Sequence, residues 1–211
     1  MDKSIQIDTF SRITQVSRET IRSLRKYEDI LINANKKLNL IGNSTINTIW
    51  ERHFLDSAQV IDFIDKNDRT MMDLGSGAGF PGLVVAILAK DRKIPLKIKL
   101  LEKSPKKIKF LKKIIKELNL SVETINKNIL KDHIEFMEDI YIARAFKPLE
   151  LILKLIHNNA NNWKKIFIFL GKTGREELLL ASKNWDIEYK QRVSVTSSDS
   201  LVVEIRKLNK K

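Results

Sequence analysis

The chain has no cysteine among its 211 residues. Disulfides, thiolate metal sites and cysteine nucleophiles are therefore excluded together. Imidazole is scarce as well, since His53, His133 and His157 are the only three histidines. No window approaches the roughly 18 consecutive apolar residues of a membrane-spanning helix. The segment Met1 to Gln6 lacks the apolar core and small-residue cleavage site of a secretory signal. The expectation is a cytoplasmic protein with no membrane partner. Aromatic residues make up 7% of the chain. Trp50, Trp163 and Trp185 sit in apolar or helical contexts that read as core, so no separate RNA-binding module built on stacking rings is visible. Internal repeats and low-complexity segments are absent too.

Positive charge, by contrast, is plentiful. Thirty-nine Lys and Arg against 26 Asp and Glu leave a formal net charge of +13. Such a surplus attracts polyanions at long range and gains from counterion release on binding them. The charge alone leaves two explanations open, a nucleic-acid partner or a lysine- and asparagine-rich compositional bias. The length suits one α/β domain with an appendage. We expect a single domain over residues 1–211, with an N-terminal helical extension over 1–66 and a core over 67–211, and we expect a monomer.

The apolar residues Phe10, Ile13, Val16, Ile21, Leu24, Tyr27 and Leu31 recur at helical spacing and predict one amphipathic helix from Phe10 to Ile32. The asparagine-rich stretch Asn33 to Ser44 reads as a loop, and a second helix is predicted over about Ile46 to Ile64. Beyond Asp68 the pattern changes. Short apolar runs at Met71–Leu74, Ile98–Glu102, Val122–Ile125, Ile140–Ala143 and Ile166–Leu170 alternate with helical patterns at Pro81–Lys90, Pro105–Leu118 and Pro148–Asn159. Strand, helix, strand repeated in this way implies right-handed crossovers and a mostly parallel sheet with helices on both faces. A helix near Glu176–Ser182 precedes two runs, Ile187–Val195 and Leu201–Ile205, joined by the polar turn Thr196–Ser200 and forming a C-terminal β-hairpin. Lys207, Lys210 and Lys211 read as a frayed tail.

The stretch Asp73-Leu74-Gly75-Ser76-Gly77-Ala78-Gly79-Phe80-Pro81-Gly82 lies where a strand passes into a helix. Alternate glycines allow a sharp turn and a close approach to a ligand, and a nucleotide-like ligand belongs at such a strand end. Two patterns overlap here: Gly75-x-Gly77-x-Gly79 is a methyltransferase form, and Gly77-x-Gly79-x-x-Gly82 satisfies a dinucleotide fingerprint. Asp73 favours the first. Its carboxylate is a poor neighbour for a pyrophosphate but suits the ammonium and sulfonium of S-adenosyl-L-methionine. Glu102, closing the next strand, is placed to accept hydrogen bonds from both ribose hydroxyls.

These blocks, together with Asn39-Leu40, Arg52-His53-Phe54-Leu55-Asp56-Ser57, Leu101-Glu102-Lys103, Lys107 to Leu111 and Ala143-Arg144-Ala145-Phe146, resemble the bacterial ribosomal RNA small subunit methyltransferase G family, also called the glucose-inhibited division protein B family. The resemblance covers nearly the whole chain. It implies a Rossmann-like class I S-adenosylmethionine-dependent methyltransferase fold, and methylation of nitrogen-7 of a guanine in small-subunit (16S) ribosomal RNA, as naked RNA or as the small ribosomal subunit. It implies that Gly75, Gly77 and Phe80 line the donor, that Ile129 and Leu130 lie beside its adenine, and that Arg144 stands at the methyl-transfer point as a positioning group. One departure is the order Gly171-Lys172, where family members usually carry Lys-Gly.

That chemistry suits a chain short of bases, because nitrogen-7 carries a lone pair and no proton. His53 and Asp56, three apart on a helix, are open to three roles: tying the helical extension to the sheet, touching donor or substrate, or holding a metal. No second cluster of ligands accompanies them, and no metal is expected. Seven lysines between Lys103 and Lys116 form either a solvated face or a phosphate-binding face. Other readings also stand: a methyltransferase of this fold acting on another RNA, a protein or a small molecule; a non-catalytic RNA-binding protein; and a nicotinamide-dependent oxidoreductase.

Overall fold

The structure is a computed structural model and describes residues 2–211. Its frame is a seven-stranded sheet in the order β3-β2-β1-β4-β5-β7-β6. The strands are β1 (Thr70–Leu74), β2 (Lys97–Leu101), β3 (Val122–Ile125), β4 (Ile140–Arg144), β5 (Lys165–Leu170), β6 (Trp185–Ser194) and β7 (Ser197–Lys210). The first five pair in parallel, and β7 runs antiparallel between β5 and β6. Strand order reverses at the β1/β4 boundary, and the crevice outside the carboxyl ends of these two strands is where ligands of doubly wound sheets bind.

Strand interiors alternate between two cores. Met71 and Ile98 face one cluster, which also takes Phe10, Leu24, Tyr27, Trp50 and Phe54 from the segments before β1. Met72, Leu74, Tyr141 and Ile168 face the other, with the buried residues of α6 (Leu149–Asn159) and α7 (Gly174–Asn184). The helices after β1 and β2 are α4 (Gly82–Asp91) and α5 (Pro105–Glu117). Ser104 caps α5 by accepting from the Lys107 N–H, and Pro105 occupies its first turn.

Strands β1 to β6 fall within a residue or two of their predicted positions, β7 extends well beyond the run predicted at 201–205, and the N-terminal third differs. The single helix expected from Phe10 to Ile32 is two helices, α1 (Lys3–Thr14) and α2 (Arg18–Leu38). Gln15 adopts φ +52° and ends α1, and the Ser17 hydroxyl starts α2 by accepting from the Thr20 N–H. Much of the expected loop at 33–44 therefore belongs to α2, whose end is capped by left-handed Asn39. The second predicted helix, over 46–64, is a chain of short pieces: 3-10 turns at Asn43–Thr48 and Ile61–Phe63, π turns at Trp50–Leu55, and the brief α3 (Asp56–Ala58). Wide π turns are common at functional sites. Here Trp50 and Phe54 pack edge-on in the core, at 5.1 Å between ring centroids, while His53 remains on the face toward the glycine loop.

Two further expectations are corrected at the C-terminus. Thr196–Ser200 is not a long turn, because Ser194 pairs with Ser197 and only Val195 and Thr196 lie between the strands. The tail is not frayed, since Lys207 and Lys210 belong to β7 and Trp185 pairs with Lys210. Lys211 donates through its backbone N–H to Asn184 O (3.0 Å) and through Nζ to Ser182 O (2.6 Å). Pairing with a complete partner strand ties down a terminus that would otherwise fray.

Candidate active site

The turn between β1 and α4 has the left-handed backbone that its glycines permit, with φ +76° at Gly75, +57° at Gly77 and +96° at Gly79. Gly75 is required for space as well. A Cβ there would lie 2.0 Å from the Phe146 ring. Four of the turn's own N–H groups are committed. Gly75 and Ser76 both donate to Leu101 O (2.9 and 3.0 Å), and Gly79 donates to Ser76 O (2.7 Å). Gly77 donates to Glu102 Oε2 at 3.0 Å. The loop is thereby tied to the end of β2, with Glu102 Oε1 accepting from the Ser104 N–H at 2.8 Å.

The cleft above this loop has a volume of about 490 Å³. Gly75, Gly77, Phe80, Glu102, Ile129, Leu130 and Arg144 all contribute to its wall, so residues from four segments far apart in sequence converge there. Ile129 and Leu130, in the loop after β3, give it an apolar side, and Leu130 is half exposed. Asp73 is placed differently from the expectation. It lies fully buried behind the loop and is absent from the cleft wall. Its Oδ2 accepts from the Gly82 N–H at 3.0 Å at the start of α4, and its Oδ1 has no hydrogen-bond partner. Burial is the main cause that pushes its pKa up, to about 7. The physical reason for the placement is strand alternation: Asp73 shares the face of Met71, which looks into the helical core and not toward the mouth.

Arg144 ends β4, and the Arg52–Ser57 block surrounds it. Its Nε pairs with Asp56 Oδ2 (3.2 Å), Nη2 donates to Arg52 O (2.6 Å) and approaches His53 Nδ1 (3.4 Å), and Nη1 reaches Ser57 Oγ (3.4 Å). Of the five N–H bonds of a guanidinium, these contacts leave one Nη1–H uncommitted. His53 and Asp56 do not bond to each other. His53 stacks on Phe80 at 4.9 Å and meets Thr45 Oγ1 through Nε2 at 2.8 Å. Burial, then the Arg144 and Arg52 charges, lower its pKa to about 3, so it is neutral near pH 7. The block ties the extension to the sheet end at the cleft. Leu40, Ile41 and Gly42 add a strap to the cleft wall, held where Asn35 Oδ1 accepts from the Leu40 and Ile41 N–H groups (2.6 and 2.9 Å).

Lys103, Lys107, Lys127 and Lys147 also line the cleft, and none forms an ion pair among the described residues. Lys109 and Lys113 are exposed on α5 outside it, and Lys172 is exposed after β5. Nothing lies within 4 Å of a Cβ placed on Gly171, so the local order Gly171-Lys172 answers no steric demand. Trp50 and Trp185 are buried, as their contexts implied. Among the described residues no group of three or more His, Asp or Glu is gathered as a metal site, and no helix is long and apolar enough to cross a membrane. Leu40 of the strap falls in a block that carried the resemblance, but Ile41, Gly42, Lys127 and Lys147 carry no sequence motif, and only the fold brings them to the cleft.

The model of the family described as rRNA small subunit methyltransferase G matches residues 20–206. The chain belongs to that family. It is 38% identical over 198 residues to the ribosomal RNA small subunit methyltransferase G of Pelagibacter ubique, covering 93% of this chain and 92% of that protein. The protein of that name from Rickettsia akari is 34% identical over 196 residues, covering 93% and 98%. Solved structures show the same fold at lower identity. A TehB-like SAM-dependent methyltransferase from Corynebacterium glutamicum superimposes with a TM-score of 0.53 at 20% identity, covering 72% of this chain and 87% of that one. The tRNA (m1A58) methyltransferase TrmI of Aquifex aeolicus gives 0.52 at 14% identity, covering 73% and 68%. This family member is therefore an α/β methyltransferase of the Rossmann-like kind. The blocks that carried the resemblance in sequence, around His53, the glycine loop, Glu102 and Arg144, all meet at one cleft.

Proposed function

We propose that this methyltransferase binds S-adenosylmethionine in the cleft and transfers its methyl group to nitrogen-7 of a guanine in small-subunit ribosomal RNA. The observation that carries the donor assignment is the state of the loop N–H groups. A pyrophosphate-binding turn offers free N–H groups to the phosphates, but here Gly75, Ser76, Gly77 and Gly79 spend theirs on Leu101 O, Glu102 and Ser76 O. The cleft residues fit an adenosine with a cationic tail. Glu102 has lone pairs left for a ribose diol, Ile129 and the half-exposed Leu130 offer an apolar wall to a purine, and the absent Cβ of Gly75 lets the Phe146 ring close onto the loop at the cleft wall. Asp73 is the foundation of the loop in this reading, anchoring the start of α4 through the Gly82 N–H.

The bound donor supplies an electrophilic methyl on a sulfonium. The purine lone pair forms the C–N bond as the C–S bond breaks, sulfur keeps the bonding pair, the purine takes the positive charge and no proton moves. The protein therefore needs no general base, in keeping with a His53 held neutral and fully hydrogen-bonded. Its task is alignment. Arg144, at the cleft with one N–H uncommitted, orients the reacting pair, and the unpaired lysines draw in the phosphates around the target. Residues 1–66 act in this reading as an extension of one domain, supported by the core they share with α4 and the sheet.

The test is methyl transfer from labelled S-adenosylmethionine to small ribosomal subunits taken from cells lacking this activity, followed by mass mapping of the RNA nucleosides. One 7-methylguanosine is expected. Methyl on protein or on another nucleoside would redirect the assignment to a different substrate.

A further inference from the structure

The tip of the β6–β7 hairpin inverts the usual distribution of polarity. Val193 and Val195 are 49% and 56% exposed, while Ser194 between them is 6% exposed. Burying a hydroxyl and exposing two valines costs free energy unless the hydroxyl has a specific partner. Ser194 Oγ donates to Asp56 Oδ1 at 2.7 Å, and Thr196 Oγ1 meets the same oxygen at 3.1 Å. Gln59 Nε2 completes the set at 2.9 Å and also reaches Ser194 Oγ at 3.2 Å. The strand register shifts between Val193 and Ser194, and bulges of this kind re-aim a side chain. Asp56 Oδ1 is thus saturated by neutral donors, and Oδ2 is left for Arg144 Nε.

We propose that Ser194 and Thr196 are positioning residues for methyl transfer, which fix the Asp56 carboxylate so that Arg144 is held in one orientation at the cleft. Apart from Gln59, one turn on, the donors that hold Oδ1 come from the hairpin, and without their hydroxyls the carboxylate is freer to rotate. The guanidinium would then lose its only anionic partner in direct contact, keeping just the contacts to Arg52 O, Ser57 and His53. The hairpin, appended at the far edge of the sheet, reaches back to the reaction centre through this one carboxylate. The kinetic consequence rests on the methyl-transfer reading above, but the orientation of Arg144 does not.

The experiment compares the intact protein with Ser194→Ala/Thr196→Val, which deletes both hydroxyls, and Ser194→Thr/Thr196→Ser, which keeps them. Three quantities are read: kcat and donor KM for methylation of small ribosomal subunits, the melting temperature, and the exchange rate of the Arg144 Nε–H resonance. Deletion is expected to lower kcat by about ten-fold, within the range that misalignment causes, with donor KM and melting temperature little changed and Nε–H exchange accelerated. The hydroxyl-keeping pair is expected to recover most of kcat and slow exchange. The single Thr196→Val variant, a milder change, is expected to be intermediate in both and serves if the double variant does not fold. Unchanged Nε–H exchange on deletion would overturn the inference. So would equal loss of kcat in the deletion and hydroxyl-keeping pairs, which would mean that only packing matters. If the intact protein transfers no methyl group, the functional reading fails, and the exchange measurement still decides the positioning claim.

Discussion

The two ends of the parallel sheet handle charge in opposite ways. At the amino end of β5 two cations are neutralised: Lys165 Nζ sits 2.7 Å from Asp68 and 2.8 Å from Asp65, and Lys164 pairs with Asp139 at 2.9 Å, whereas the exposed Arg69 and Lys97 at the starts of β1 and β2 form no ion pair among the described residues. At the carboxyl ends Lys103, Lys107, Lys127 and Lys147 stand around the cleft without carboxylate partners. Glu102 there spends its oxygens on backbone N–H groups, and Asp73 is shut behind the loop. The lesson is that a surplus of +13 says little by itself. What matters is where cations are left unpaired, and four of them stand beside the site. One end is built for stability and the other for binding.

The comparison is broken most severely at the loop. Gly75→Val places carbon where the Phe146 ring lies and forces a β-branched residue into φ +76°. The expected outcome is a fall in kcat/KM of at least about a hundred-fold, from displacement of groups that must align, measured in the methyl-transfer assay. At the opposite end Lys165→Met leaves Asp68, which is 1% exposed, buried without its partner. Stability is expected to drop by about 3 kcal/mol in urea unfolding, with donor affinity unchanged. If donor binding fell with it, the two ends would not be independent.

A milder test replaces the unpaired lysines. Lys103→Gln, Lys127→Gln and Lys147→Gln together are expected to weaken RNA binding by about ten-fold or more and to flatten the slope of log affinity against log salt by about two, with no loss of stability. The same substitutions at Lys109 and Lys113, exposed but outside the cleft, measure diffuse attraction and are expected to change the slope less.

In the intact protein the smallest net effect is that of pH, because two groups of the binding end oppose each other. Asp73 is raised from 3.8 to about 7, so the folded state holds the proton more tightly. Its contribution to stability is complete below about pH 4 and is lost as pH rises to about 7. His53 is lowered from 6.5 to about 3, so the unfolded state holds that proton more tightly, and stability from this group rises between about pH 3 and 6.5. Each slope is at most about 1.4 kcal/mol per pH unit, and over the shared window they oppose. Asp73→Asn is expected to expose a stability that climbs with pH, and His53→Gln one that falls, in melting curves from pH 4 to 7. Parallel curves for the two variants would contradict both assignments.

The strands and crossovers were legible in the sequence because short apolar runs separated by amphipathic helices admit few other arrangements. The N-terminal third was not, because its apolar spacing ran through Gln15 and Ser17, where a left-handed residue and a capping hydroxyl divide one apparent helix into two. Ser17 and Thr20 were the available signal. At the site, Gly75 and Glu102 were readable because they stand at strand ends, while Ile129 and Leu130 came only from the family resemblance and lie on the same cleft wall. Asp73 was misplaced because an acid at a strand end was read without asking which face it occupied. Ser194, Thr196 and Gln59 were missed altogether. They are polar residues without a motif; Gln59 stands one turn from Asp56, but Ser194 and Thr196 are more than 130 positions away, and only the hairpin's return across the sheet brings them to it.

The most direct test of the central claim is titration calorimetry of the intact protein with S-adenosylmethionine and, separately, with NAD. The account predicts one saturable site per chain for the methyl donor, lost in Gly75→Val, and no heat from the dinucleotide. Binding of NAD with no binding of the methyl donor would contradict it.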